Sequence, residues 1–400
     1  MPFIQFSLQK RIKRLKRIYY SFLSNIVHSC NNQLAKGQGD FNNLRNKYYR
    51  FSGEMATLFL NFPNISTYTI THDSKKIIVV GDIFRAKIIN RVLETEEYSE
   101  INDYGKSSVL KLPALVKEWL CGDTQLVVCA LSPLYPLSFF VPYVISSPSL
   151  ICQVFELPDQ IDDLLEKPEL RRIRRQIIRS QRFGFDVQFT QRDCDFNLYY
   201  WKMYVPYIQN RFGITAVLEP YEVQFEEFSR GGLILVTKDG EPVSGMLTRV
   251  LDDHCYYLNV GVLNANQFLL NQGLFSYNLW ELIKWGHQQG AKWIDLGGSF
   301  AFQSDGVFQY KSNWGAKILS SRLVLKEIIY LMNNPSIELL ELLNRKGIIH
   351  CHHGKFFQTH FVTDSLHELD DDIDQQLQIA KRNNLAGIVI VSPFSKRYVA

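Results

Sequence analysis

The chain has 400 residues, 46% of them hydrophobic and 13% aromatic, which is enough apolar surface for two or more cores and excludes a disordered protein. Its formal charge of +4 is uneven: residues 1–50 hold ten Lys or Arg against one acid, which leaves 34 bases against 39 acids for the rest, so the basicity belongs to one tail, gives the main body no sign of nucleic-acid binding, and no DNA partner is expected. The seven cysteines lack CxxC spacing and read as reduced intracellular thiols, so a disulfide scaffold is excluded as well.

In chain order, residues 10–27 read as a basic amphipathic helix, with Lys10, Arg11, Lys13, Arg14, Lys16 and Arg17 beside Ile12, Leu15, Ile18 and Phe22. One reading is a contact with anionic lipid or RNA; the other is a solvated helix face. No small-x-small cleavage site follows, so the expected place is the cytoplasm, peripheral to the inner face of the membrane. Residues 32–43 read as a linker, which makes 1–50 a basic helix and linker. From 51 to 155 strands and a helix alternate: KKIIVVGDI, a helix around LPALVKEWL, then strands QLVVCALS, FFVPYVIS and LICQVFEL. The run from Thr124 to Phe155 holds no charge, but Pro133, Pro136, Pro142 and Pro148 favour short buried strands over a membrane-spanning helix.

At Leu157 the character changes. Pro168 suits the first turn of a helix in which Arg171, Arg175, Arg179 and Arg182 share one stripe and Ile173 and Ile177 the opposite one. That stripe reads either as a phosphate-binding face or as a solvent face paired with acids. Strands LILVTK, VSGMLTRVL and YYLNVGVL follow, then a helix over Ser276–Gln289 and a strand KWIDLGG. This mixed order is not the βα alternation of a dinucleotide fold. Beyond residue 326 the chain predicts a hairpin with Gly354 and Lys355 at its turn, a helix over 370–384 and a strand GIVIVS.

His350, Cys351, His352 and His353 raise a metal reading. On a strand, however, alternate residues point to opposite faces and at most two ligands share one, so no metal is expected. GxSxG, HExxH and P-loop motifs are absent, which removes local support for a serine hydrolase, a zincin or an NTPase. The remaining distinctive run is SDGVFQYKSNWGAK, Ser304–Lys317, directly after DLGGS, Asp295–Ser299.

The ordered set EPVSGMLTRV, YYLNVGVLN, LFSYNLWELIKWGHQQGAKWIDLGGS and DGVFQYKSNWGAK resembles the catalytic half of the GNAT acyltransferase superfamily, and within it the FemAB-like and polysaccharide-locus acetyltransferase-like branch. The resemblance runs from about Leu157 to Leu325. It implies a mixed α/β (α+β) fold of the acyl-CoA N-acyltransferase type with two GNAT-like halves: a degenerate half at 51–155, a catalytic domain at 156–325 and a small α/β extension at 326–400. One departure concerns the loop that cradles the coenzyme A pyrophosphate at a helix N-terminus. Over Leu270–Ser276, Leu270 stands in place of a polar residue and Phe275 in place of a small one.

The resemblance implies an enzyme that moves an acyl or aminoacyl group from a thioester or ester to an amine of a sugar, peptidoglycan or other envelope-related acceptor, by direct attack. Lys311 is the expected electrostatic group for the negative charge that develops on the carbonyl oxygen. Asp295, Ser299 and Tyr257 are the expected acceptor-binding or proton-handling groups. Gly273, Leu274, Ser276 and Asn259 are assigned to the cofactor, and Arg171, Arg175, Arg249, Asp305, Tyr310 and Trp314 to the substrate. Acyl-CoA is the expected donor, with charged tRNA behind it. The competing expectation is a non-catalytic binding protein of the same fold that holds a phosphorylated glycan or lipid.

Overall fold

The computed structural model describes residues 64–72, 75–81, 89, 101–108, 112–131, 143–213, 216–319, 327–333, 335–362, 370–392 and 396–400. The chain divides into Met1–Phe62 and Pro63–Ala400, and every described element belongs to the second unit. The expected basic helix at 10–27 and linker at 32–43 lie outside the described residues.

The first sheet is built from β1 (Asn64–His72), β2 (Lys75–Val80), β3 (Ile101–Ser108), β4 (Thr124–Leu131) and β5 (Tyr143–Pro148). The IIVV run of β2 and the LVVC run of β4 are unbroken apolar stretches, as strands covered on both faces require. Helix α1 (Leu112–Cys121) places Leu112, Val116, Trp119 and Leu120 on one stripe and covers one face of this sheet. Strands β2 and β4 pair in parallel from Lys76↔Thr124 to Val80↔Cys129.

The second sheet follows. Its elements are β6 (Ile151–Glu156), α2 (Arg171–Phe183), β7 (Phe185–Thr190) and α3 (Asp193–Leu198), which runs through a π-helical turn at Tyr199–Tyr204 into α4 (Val205–Phe212). Then come α5 (Tyr221–Arg230), β8 (Gly232–Lys238), β9 (Glu241–Leu251), β10 (His254–Val262), α6 (Gln267–Asn271), α7 (Leu274–Gln288), β11 (Trp293–Ser299), α8 (Gly306–Asn313) and β12 (Lys317–Leu319). The strand order is β12-β6-β11-β10-β9-β8-β7, and within it only β10 and β11 pair in parallel. Helix α7 begins two residues earlier than the sequence pattern predicts, because Gly273 takes a left-handed φ of 87° and turns the chain into it.

The chain then returns to the first sheet. Strand β13 (Glu327–Met332) inserts between β4 and β5, giving the order β3-β1-β2-β4-β13-β5. Helix α9 (Ile337–Lys346) packs Leu339, Leu340 and Leu343 on the face that α1 leaves open. Strands β14 (Ile349–His352) and β15 (Lys355–Phe361), helix α10 (Asp370–Arg382) and strands β16 (Gly387–Val391) and β17 (Lys396–Val399) complete a four-stranded sheet. The hairpin turn is His353–Gly354, both at positive φ, so Lys355 is the first residue of β15 and not part of the turn. The boundaries read from sequence are crossed at two places: β6 spans 155/156, and β13 joins residues beyond 326 to the first sheet. Among the described residues no helix is long and apolar enough to cross a membrane.

Candidate functional site

Strands β10 and β11 stay paired only over His254↔Trp293, Cys255↔Ile294 and Tyr256↔Asp295. Beyond that level each carries an irregularity, β10 against β9 between Tyr257 and Asn259, and β11 against β6 between Asp295 and Gly298. Bulges on both strands turn them away from each other. The gap becomes a cavity of about 450 Å³, bounded by Tyr257–Val260 on one strand and Leu296–Ser299 on the other. Helix α4, the start of α7, the loop after β11 and α8 close its sides.

Lys311 enters this cavity from α8 and is 4% exposed. Asp305 caps that helix, accepting from the Phe308 N–H at 3.0 Å, and so sets the helix angle that carries Lys311 inward. The Lys311 ammonium donates to the carbonyls of Gly297 at 3.0 Å and Gly298 at 2.7 Å. Those carbonyls are presented by the bulge, where Gly297 has φ 70° and its N–H donates to Asp295 Oδ1 at 2.7 Å. Burial lowers the Lys311 ammonium to about 8, opposed by Cys152, Asp305 and Asp295. An ammonium has three N–H donors. Two hold the strand, and the third is left for a group inside the cavity.

The opposite wall is aromatic. The π-helical turn and α4 present Tyr204, Tyr207 and Arg211, and α7 presents Phe275. Arg211 donates to the Tyr207 hydroxyl at 2.5 Å, with its guanidinium 5.5 Å from the Phe275 ring centre. Tyr310 donates to the Phe275 carbonyl at 3.1 Å and packs edge-on against its ring. Burial raises the phenols of Tyr257 and Tyr310, so near neutral pH both remain proton donors. The π-helical turn also needs Gly261 beneath it, since a Cβ there would lie 2.4 Å from the Tyr204 nitrogen.

Six of the residues expected from sequence meet in this cavity: Lys311, Tyr257, Ser299, Asn259, Asp305 and Tyr310. Ser299 is 3% exposed and donates to Gln153 Oε1 at 3.0 Å, and Asn259 donates to Glu219 Oε2 at 3.0 Å. Asp295 shapes the bulge through Gly297 and does not line the cavity. The rest lie elsewhere. Trp314 is 1% exposed in the core of the second sheet. Arg249 pairs with Glu227 at 2.8 Å and covers the Tyr256 ring. Arg171 and Arg175 stand exposed on α2.

The turn assigned to a cofactor is covered by α2. A Cβ on Gly273 would lie 2.5 Å from the Gln176 carbonyl, Leu274 is 0% and Ser276 2% exposed, and Ser276 donates to Gln176 Oε1 at 2.6 Å. Ser180 and Arg179 take the carbonyls of Gln272 and Asn271 at 2.8 and 3.0 Å. With Gly273, Leu274 and Ser276 all buried, this turn does not fit the pyrophosphate of coenzyme A. In the histidine run, His350 Nδ1 donates to the Ser146 carbonyl at 2.6 Å and Nε2 accepts from the Tyr398 hydroxyl at 3.1 Å; burial lowers the imidazole to about 4.

The residues not anticipated were Tyr204, Tyr207, Arg211, Phe275 and Lys346, all in the cavity wall. Three of them carry a signal, because 204, 207 and 211 repeat at helical spacing and place two tyrosines and an arginine on one face. Lys346 has none.

Residues 169–312 match the family model of the acetyltransferase (GNAT) domain. No curated protein sequence matches the chain. Similar solved structures include FemX, at 12% identity over 72% of this chain and 93% of that one, with a TM-score of 0.37. L-PGS from Bacillus licheniformis is similar at 11% identity over 71% and 85%, with a TM-score of 0.32. The C-terminal domain of a lysylphosphatidylglycerol synthetase from Agrobacterium fabrum is similar at 11% identity over 68% and 81%, with a TM-score of 0.34.

Proposed function

With residues 169–312 a GNAT acetyltransferase domain, we propose that the chain is an N-acyltransferase of the FemAB-like branch that moves an acyl or aminoacyl group from an ester or thioester to an amine of an envelope-related acceptor. The observation that carries this reading is the Lys311 ammonium, fixed by two strand carbonyls at the point where β10 and β11 part. The neutral amine attacks the donor carbonyl carbon, a C–N bond forms, and negative charge gathers on the oxygen. The third Lys311 N–H meets that oxygen in a site shielded from water, where a fixed cation stabilises the transition state more than the ground state. As the tetrahedral species collapses the C–O or C–S bond breaks. Tyr257, a phenol in the cavity wall, protonates the leaving group in this reading, and the surplus proton of the former amine passes to it in turn or to solvent.

The covered turn at Gly273 leaves coenzyme A without its usual anchor. The exposed arginines of α2 favour a carrier whose phosphates lie outside the cavity, and the tail at 10–27 favours an anionic surface nearby. The decisive experiment offers acetyl-CoA, a long-chain acyl-CoA and aminoacyl-tRNA with amine acceptors, and follows amide formation by mass spectrometry. Amide from at least one donor, lost in Lys311→Met, is the expected result. Absence of transfer from all three would leave a binding protein that uses the same cavity. Sedimentation with acidic liposomes, weakened by salt and lost on deleting residues 1–50, checks the surface contact.

A further inference from the structure

We infer that α2 and α6 form a docking face for an anionic phospholipid surface, with arginines for the headgroup phosphates and two apolar side chains for the acyl boundary. The inference goes beyond the transfer reading and does not depend on it. Helix α2 carries six arginines and no acid. Ile173, Ile177 and Ser180 are buried, so the opposite stripe faces solvent; at i, i+4, i+7 and i+11 it holds Arg171, Arg175, Ile178 and Arg182, all exposed. Among the described residues Arg174 is the one arginine of α2 in an ion pair, with Glu166 at 2.7 Å. The outer row of cations is therefore left for a partner. Arg179 holds α6 instead, donating to the Asn271 carbonyl at 3.0 Å, and Phe183 packs edge-on against Phe268 with ring centres 5.7 Å apart. Leu269 is buried in the core of the second sheet, and Asn266 Oδ1 fixes the turn by accepting from the Phe268 and Leu269 N–H groups at 2.9 and 3.3 Å. That anchoring leaves Phe268 facing outward beside the arginines.

Charge and exposure together select the partner. Phe268 is 58% and Ile178 36% exposed, although each stands among groups that water would solvate better. A face that combines unpaired arginines with protruding apolar side chains suits the headgroup region of an anionic bilayer, where the cations meet phosphates and the apolar groups reach the acyl boundary. An RNA backbone would use the arginines but leave Ile178 without a partner. Residues 51–400 also carry 34 bases against 39 acids, which disfavours the wide contact that a folded polyanion makes. The place of the face has a consequence for the site. Helix α6 leads through the Gly273 turn into α7, whose Phe275 lines the cavity, so docking holds that wall close to the lipid surface.

Sedimentation of the full chain with vesicles of phosphatidylcholine alone, and of equal parts phosphatidylcholine and phosphatidylglycerol, tests this. Binding to the anionic vesicles alone is expected. The pair Arg175→Gln and Arg182→Gln should weaken it about tenfold or more. Arg175→Lys with Arg182→Lys should retain it, because a lipid surface reads the charge and not the guanidinium fork. Phe268→Ser should weaken it about threefold or more and remove the part that survives high salt. All three positions are exposed, so the variants should fold, and any contribution of residues 1–50 is common to every one of them. No binding to either vesicle, or binding that all the variants retain, overturns the inference. So does retention of bulk tRNA that is lost in the arginine pair while vesicle binding ignores Phe268, which would make the face a nucleic-acid contact. Sedimentation needs neither donor nor acceptor, so its failure is distinct from a failure of transfer, which Lys311→Met reads separately.

Discussion

Two of the three parallel strand pairs among the described residues, one in each large sheet, end differently. In the first sheet β2 and β4 remain paired from Lys76↔Thr124 to Val80↔Cys129. In the second β10 and β11 separate after Tyr256↔Asp295. The first pair is made of IIVV against LVVC, with Ile78, Val79, Val80, Leu126 and Val127 at 0% exposure, so apolar layers on both faces hold it closed. At the matching level the second pair has YYLN against DLGG, with a carboxylate turned back onto the Gly297 N–H and a glycine at positive φ. Polar groups and a bulge there replace ladder hydrogen bonds with a cavity. The same topology thus serves as core in one place and as site in the other.

The largest effect expected from breaking this contrast is on the open pair. Lys311→Met should lower turnover by ~10²- to 10³-fold. Its melting temperature should change little, because relief of a buried charge offsets two lost N–H···O bonds. The pH profile sharpens the assignment. A charged Lys311 is needed for oxyanion stabilisation, so kcat should fall as pH rises through about 8; a rise there would make the lysine a base instead.

The closed pair should behave in the opposite way. Ile78→Ala removes a fully buried side chain between α1 and the sheet and should cost about 3 kcal/mol of stability, read by urea titration, while kcat/KM of the folded fraction stays unchanged. A selective loss of kcat would show that the two sheets are coupled.

His350 extends the comparison to acid, since its ring joins β5 of the first sheet to Tyr398 of the last. Its folded-state value of about 4 lies below the usual 6.5. Between those values the unfolded chain binds a proton that the folded one does not, so stability is full above 6.5 and falls as pH drops toward 4. The loss should reach about 3 kcal/mol at most, and His350→Gln should flatten it, measured by melting temperature from pH 7 to 4. The smallest effect belongs to Asp295→Ala, which frees the Gly297 N–H and shifts the carbonyls that hold Lys311. A stability loss of about 1 kcal/mol with a decline in kcat is expected; unchanged kcat would separate the bulge from the chemistry.

The sequence by itself determined β2, β4, β5 and α1 around the first sheet and β6, β8, β9, β10, β11, α2 and α7 around the second, because β-branched runs and helical stripes are local patterns that read the same before and after folding, whereas β1, β3, β7 and β12 carry no unbroken apolar run. It also determined the approach of Lys311, since Asp305, the helix it caps and the GG strand end lie within 17 residues of one another along the chain. Arg249 and Trp314 carried chemistry-bearing side chains but no direction, and only the sheet packing turned one toward Glu227 and the other into the core. The same holds for the turn at Gly273: its spacing suits an anion, and the helix that buries it lies about 90 residues earlier. The place of β13 between β4 and β5 and the arrival of Lys346 in the cavity were decided by tertiary structure alone. Both depend on backbone hydrogen bonds between segments far apart in the chain, and such partners leave no periodicity in either segment for a sequence to reveal.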